Sequence, residues 1–301
     1  MKPIVVKDIE KSYNGKCALK PINFEVEHGE LFGLIGPDGA GKTTLFRILA
    51  TLILADKGEA FVDGLEVKAG LREIRRRIGY MPGRFSLYQD LTVRENLEFF
   101  ASVYSSDVNE NYYLVEDIYK QIEPFKNRRA GALSGGMKQK LALSCAMIHK
   151  PKVLFLDEPT TGVDPVSRKE FWQMLKKIQE HNITVVVSTP YMDEASLCDR
   201  ILLIKDGLVL DMDTPSNIEN KFPKKLYKVM AENIPQMLRT LRANAAINTC
   251  FSFGDSLHVT FKDGNIKPEG QYEQITASIE DYFMLISTIN EMKSDNCEPK
   301  S

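Results

Sequence analysis

LFGLIGPDGAGKTT, Leu31 to Thr44, is the stretch whose reading decides the fold. An apolar run, Leu31 to Ile35, reads as a buried strand; a glycine-rich loop follows at once, and a helix start follows the loop. The spacing satisfies the full P-loop pattern, GxxxxGK[ST]. Gly36, Gly39 and Gly41 let the backbone turn tightly around an anion, with Pro37, Asp38 and Ala40 between them. Successive amides from Gly39 to Thr44, and the positive end of the helix, face the phosphates. Lys42 is expected to reach the β and γ phosphates of a nucleotide as a point charge, and the Thr43 hydroxyl to ligate magnesium. The plainer reading is a glycine turn that only caps a helix. A second acidic motif at the end of a buried strand removes most of its weight.

That motif closes VLFLDEP, Val153 to Pro159. Val153 to Leu156 are continuously apolar, as in a parallel strand covered on both faces, so Asp157 emerges at its carboxyl end. There Asp157 can hold Mg²⁺ through water, and Glu158 can orient or deprotonate an attacking water. Two acids that merely cap the next helix are the bland alternative.

The octapeptide LSGGMKQK, Leu133 to Lys140, precedes this strand, and TGVD follows it. With all four motifs in order, the chain resembles the ATP-binding subunits of ABC transporters over roughly residues 1 to 215. The resemblance implies that Ser134, Gly135 and Gly136 contact the γ-phosphate of an ATP held by an opposing subunit, so that two subunits sandwich two ATP molecules. It places Asp164 at the same interface and Tyr13, in KSYNGK, against the adenine. Taken alone, Tyr13 reads as a half-buried strand residue.

Two positions depart from the family pattern. Gly83 in MPGRFSLYQDL stands where glutamine is usual, and Pro190 in STPYMDEA where histidine is usual. Glycine offers no ligand there, and proline has neither a side-chain donor nor an amide hydrogen. Loss of such a group lowers rates by about 10²- to 10⁴-fold, so slow hydrolysis with competent Mg-ATP binding is expected. Gln89 bending back, or Arg84 offering a cation, are the candidate substitutes. An asymmetric pair is the other resolution, with LSGG completing a partner's intact site. The retained Glu158 argues for some hydrolysis, and homodimer and heterodimer stay open.

Composition bounds the rest. The chain has 301 residues and a formal net charge of -2, which makes no electrostatic case for nucleic acid. No apolar stretch approaches the ~18 to 20 residues needed to span a bilayer. The start, MKPIVVKDIEKSY, shows no signal-peptide pattern, so a soluble subunit on the cytoplasmic face of the membrane is expected. Cys17, Cys145, Cys198, Cys250 and Cys297 lack CxxC spacing and argue against a disulfide scaffold or zinc site.

The fold expected is α/β: a P-loop NTPase (RecA-like) core with an antiparallel β subdomain, a helical subdomain and a small C-terminal α+β appendage. Turns at Asn14-Gly15 and Asp63-Gly64 mark the antiparallel layer. TVRENLEFFASVY opens with a threonine cap and Glu95 three residues on. Boundaries are expected at 1–215 for the nucleotide domain (helical subdomain about 88–148), 220–292 for the accessory domain and 293–301 for a flexible tail. The four arginines Arg72, Arg75, Arg76 and Arg77 read as the exposed face of a helical turn. Leu226 to Met230, Ile247 to Phe253 and Leu257 to Phe261 read as strands; Ile234 to Leu241 and Ser278 to Met292 read as helices. Phe85, Leu87, Tyr88 and Leu91 are either the groove that receives a membrane subunit's coupling helix in the resembled family or internal packing.

GYMPGRFSLYQDLTVRENLEFF, STPYMDEA and IEDYF most resemble the subunits that energise ABC-2-type exporters. That implies ABC-2-type membrane permease subunits and a second ATP-binding subunit as partners, and ATP and Mg²⁺ as cofactors. A regulatory module that completes a partner's site without turnover of its own is the rival. A ribosome-binding factor of the same family is disfavoured by the single P-loop.

Overall fold

Three fully buried strands fix the architecture, because each can be apolar along its whole length only if covered on both faces. They are LFGLI, VLFLD and TVVVST, and all but the ends of the last two are hydrocarbon or glycine. The computed structural model describes residues 1–263 and 272–295. Two compact units divide them, Met1–Met212 and the residues from Asp213 onward.

In chain order the first unit runs β1 (Ile4–Tyr13), β2 (Lys16–Val26), β3 (Leu31–Ile35), α1 (Lys42–Leu49), β4 (Lys57–Val62), β5 (Leu65–Glu66), α2 (Leu71–Arg77) and β6 (Ile78–Met81). It continues α3 (Val93–Val103), α4 (Val108–Tyr119), α5 (Gly135–Met147), β7 (Val153–Asp157), α6 (Pro165–Glu180), β8 (Thr184–Thr189), β9 (Arg200–Lys205) and β10 (Leu208–Asp213). The antiparallel sheet has the order β2-β1-β4-β5, and the core sheet β10-β9-β3-β8-β7-β6. Asn14-Gly15, Asp63-Gly64 and Asp206-Gly207 all hold both residues at positive φ, between 48° and 81°, the geometry of a two-residue hairpin turn. The two sheets share one apolar core, in which Phe24 stacks on Phe32 and Phe46 meets Phe155 edge to face.

The helices α3, α4 and α5 form the helical subdomain. Thr92 and Glu95 make the reciprocal capping box that the sequence predicts. Behind it, fully buried Asn96 donates to the carbonyls of Tyr88, Leu91 and Thr92 and accepts from the Tyr88 amide, so one amide side chain shapes the whole entry turn. The four arginines fall on or beside α2, where Arg75 donates to Thr51 and Arg77 pairs with Asp63.

The second unit contains α7 (Pro215–Asn220), β11 (Leu226–Met230), α8 (Ile234–Ala243), β12 (Ile247–Phe253), β13 (Ser256–Phe261), β14 (Tyr272–Ile275) and α9 (Ile279–Asp295). Its antiparallel sheet has the order β12-β13-β11-β14. Leu241 of α8 packs with Val229, Cys250, Leu257 and Val259 of the sheet. Ser278 caps α9 by accepting from the Asp281 amide, while the Asp281 carboxylate accepts from the Ser278 amide and hydroxyl and bonds His258 Nδ1 at 2.6 Å, tying that helix to β13. Strand β14 is not foreseen in the sequence, where YEQI is too short and polar to stand out. Helix α9 continues past Met292 to Asp295, whereas Cys297 and the rest of the expected tail, 296–301, lie outside the described residues.

Replacing Thr92 with Ala removes one half of the capping box and is expected to cost about 1 kcal/mol of stability, read from the denaturant midpoint at unchanged slope.

Candidate functional site

The parallel register brings three strand ends together. Ile35 lies opposite Thr189, and Asp157 opposite Ser188, so the loop after β3 leaves the sheet beside the carboxyl ends of β8 and β7. Gly36 must be glycine on steric grounds, because a Cβ there falls 2.1 Å from the Ile204 carbonyl oxygen. Gly41 sits at φ 106° as the cap residue of α1, with no side-chain cap bond, which leaves the first-turn amides directed at the loop.

Lys42 is only 3% exposed. Its Nζ donates to the carbonyls of Gly36 at 2.8 Å and Pro37 at 3.0 Å, and lies 3.2 Å from Glu158 Oε1. Thr43 Oγ1 donates to Asp157 Oδ1 at 3.2 Å, and Ser188 Oγ donates to the same oxygen at 2.6 Å. The Glu158 amide in turn donates to Ser188 Oγ and to the Ser188 carbonyl. Glu158 itself has φ 49°, an uncommon conformation for a side chain of this kind. One cation, two carboxylates and two hydroxyls thus converge at one end of the sheet. Asp157 and Thr43 present hard oxygen atoms of the type magnesium prefers.

A cavity of about 310 Å³ opens in front of them, lined by Tyr13, Lys16, Cys17, the loop from Gly39 to Thr44, and Glu158. Tyr13 is 42% exposed, and its ring faces the Lys11 ammonium at 5.7 Å. Lys16 and Cys17 share this wall, although nothing in their sequence context singles them out. Ser188, beside Thr189 at the polar end of β8, is likewise not singled out by its sequence context. Tyr80, on the neighbouring β6, has its hydroxyl pushed up to about 12 by burial, with the charge of Asp157 adding to the effect.

Ser134, Gly135, Gly136 and Asp164 are not among the residues lining that cavity. Ser134 caps α5 by accepting from the Met137 amide, and Gly136 lies so close to Ser167 that a Cβ would fall 2.7 Å from its hydroxyl. Asp164 caps α6, accepting from the Val166 and Ser167 amides. Those bonds, with Ser167 the larger cause, hold its carboxyl below the usual range. The signature segment and the turn before α6 therefore form a second surface.

Neither candidate substitute for the missing glutamine reaches the site. Gln89 lies against Gly131, whose amide donates to its carbonyl at 2.9 Å, and Arg84 lines a different cleft. Gly83 itself adjoins the centre: a Cβ there would stand 3.0 Å from the Asp157 carbonyl oxygen. The cleft of Arg84 is walled by Met81, Phe85, Leu87, Phe100 and His149. Tyr88 instead packs edge-on against Phe99, and Leu91 takes no part in the wall. His149 stacks on Tyr104 at 3.8 Å, bonds the Ile78 carbonyl through Nε2, and is held below its ordinary pKa of 6.5 by burial.

Two outcomes follow from this geometry. Gly36→Ala is expected to weaken ATP binding at least about tenfold in equilibrium titration, because the phosphate loop must move off Ile204. The His149 pKa is depressed on folding, so the unfolded chain binds more protons below pH 6.5. Its contribution to stability is present above that pH and is lost as the pH falls towards the folded value. His149→Gln should flatten that part of a stability-versus-pH curve.

The chain is similar to known proteins. Residues 19–161 match the family model for the ABC transporter. The probable multidrug ABC transporter ATP-binding protein YbhF of Escherichia coli (strain K12) is 40% identical over 219 residues, covering 72% of this chain and 38% of its own length. This chain therefore spans well under half of that relative. The Nod factor export ATP-binding protein I of Burkholderia thailandensis is 34% identical over 296 residues, covering 95% and 97% of the two chains. The daunorubicin resistance ATP-binding protein DrrA2 of Streptomyces coeruleorubidus is 37% identical, covering 79% and 75%. Among solved structures, the dimeric post-hydrolysis ATP-binding cassette MJ0796 bound to ADP and Pi superposes with a TM-score of 0.64 at 30% identity, covering 70% of this chain and 98% of that one. An ATP-binding subunit of an ABC transporter does so with 0.66 at 26% identity, covering 73% and 92%. With its phosphate loop, its acidic strand end and near full-length similarity to such a relative, this chain belongs to the ATP-binding proteins of the ABC transporter family.

Proposed function

We propose that this chain hydrolyses ATP to drive an ABC-2-type exporter, working with a second ATP-binding subunit and with separately encoded membrane permease subunits on the cytoplasmic side of the membrane. The convergence of Lys42, Thr43, Asp157 and Glu158 at the ends of β3 and β7 carries the reading. Support for export comes from the relatives, whose names record Nod factor export, multidrug transport and daunorubicin resistance. Among the described residues, no helix is long and apolar enough to cross a membrane, which fits a subunit that acts on membrane partners.

In this mechanism Tyr13 stacks on the adenine, and the amides from Gly39 to Thr44 take the phosphates. Lys42 can exchange its carbonyl contacts for phosphate oxygens. Thr43 and Asp157 hold Mg²⁺, which neutralises phosphate charge when bound. Glu158 accepts the proton of the attacking water. Its backbone is pinned by Ser188, so the carboxylate is oriented in advance. Ser134, Gly135, Gly136 and Asp164 act on the ATP of the opposing subunit, which accounts for their separation from the cavity. The cleft beside Phe85 and Leu87 receives the permease.

Gly83 and Pro190 leave the γ-phosphate end with fewer polar groups, and turnover is correspondingly slow. Glu158→Gln is expected to lower ATP turnover by about 10²- to 10⁴-fold while leaving Mg-ATP binding within about threefold. The measurement is phosphate release by the protein alone and with its membrane subunits in liposomes. A wild-type assembly that binds Mg-ATP yet releases no phosphate above the Glu158→Gln background would sink the hydrolytic reading.

A further inference from the structure

Glu194 sits in the short turn Met192–Leu197 beyond Pro190 and is only 1% exposed. Its two oxygens are used by two different segments. Oε1 accepts from Thr160 Oγ1 at 2.8 Å, two residues past Glu158; Oε2 accepts from Thr189 Oγ1 at 2.5 Å, the residue before Pro190. Thr160 and Thr189 are themselves 1% and 0% exposed. Arg168 of α6 lies 3.6 Å from Oε1, and its guanidinium covers the Tyr191 ring at 4.2 Å. The Tyr191 amide donates to Thr189 Oγ1 at 3.1 Å, closing the cluster.

Burying a carboxylate is costly unless its oxygens are fully hydrogen-bonded, and the bonds that offset the cost also fix what they join. Here they join the two loops that flank the reacting end of the site. Proline at 190 has no amide hydrogen, so the backbone cannot supply that tie at this residue. Glu158 sits nearby at φ 49°, a conformation that persists only where its surroundings over-determine it. The Glu158 amide is held by Ser188, and two residues further on Thr160 is held through Glu194 to Thr189, the next residue of β8.

We infer that Glu194 is a positioning residue for Glu158, strapping the loop after β7 to the end of β8 where Pro190 interrupts it. Glu194 touches neither nucleotide nor water in this scheme. It acts by keeping the Glu158 carboxylate in place.

The inference rests on the hydrolytic reading above. With the full chain and its membrane subunits, Glu194→Ala is expected to lower turnover about 10²-fold, the loss typical of a group misplaced by an ångström, with Mg-ATP binding within about threefold. Glu194→Gln keeps one acceptor and should recover about tenfold of that loss. Should Glu194→Ala fail to fold, judged by the fluorescence of Trp172, the single tryptophan, Thr160→Val and Thr189→Val test the same strap one bond at a time. Each is expected to reduce turnover about tenfold without weakening Mg-ATP binding. Unchanged turnover in these variants, or losses that track weakened binding, would overturn the inference. If the wild type binds Mg-ATP without turnover, the hydrolytic reading fails but the strap does not. It is then read as ATP-dependent protection of residues 158–164 from hydrogen exchange, which Glu194→Ala abolishes if Glu194 positions them and preserves if it does not.

Discussion

The short bond from Ser188 to Asp157 is the contact on which the site depends. It forms because β7 and β8 pair in a register that sets these two residues side by side at the end of a fully buried sheet. Asp157 is 3% exposed, so without a donor its carboxylate would be both costly and free to turn. With one oxygen shared by Ser188 and Thr43, the acidic strand end and the start of α1 are fixed to each other across the sheet. The amide of Glu158 returns to the same serine, so both acids of the strand end are tied to β8.

Much of this was legible from residue patterns. The uninterrupted apolar runs placed β3 and β7, because only a doubly covered strand tolerates such a composition. The P-loop spacing placed the glycines, and Thr92 with Glu95 announced the start of α3. What stayed hidden were residues whose roles depend on who lies opposite. Ser188 is one of three hydroxyl residues in β8, and only the β7 to β8 register shows that it faces Asp157. Glu194 looks like any helix-start acid until the fold buries it between two threonines. Strand β14 is short and polar, and its identity comes from pairing with β11 rather than from its own residues.

The two departures at 83 and 190 have different physical consequences. Gly83 lets the backbone pass close against the Asp157 carbonyl, and neither Gln89 nor Arg84 lines the cavity of Lys42. Pro190 removes a side chain and a donor together, yet the segment around it is densely tied by Arg168, Tyr191, Thr189 and Glu194. One change subtracts contacts, whereas the other sits within an ordered cluster. A close backbone approach at 83 and a densely bonded cluster around 190 coexist at the same end of the sheet.

The close approach at Gly83 also limits what that position can accept. A side chain cannot be placed there in isolation, since its first carbon would meet the backbone oxygen of Asp157 at 3.0 Å. The strand end that carries the Asp157 carboxylate has to yield by a few tenths of an ångström at the same time. Any larger residue at position 83, glutamine included, therefore enters only by displacing the backbone of Asp157.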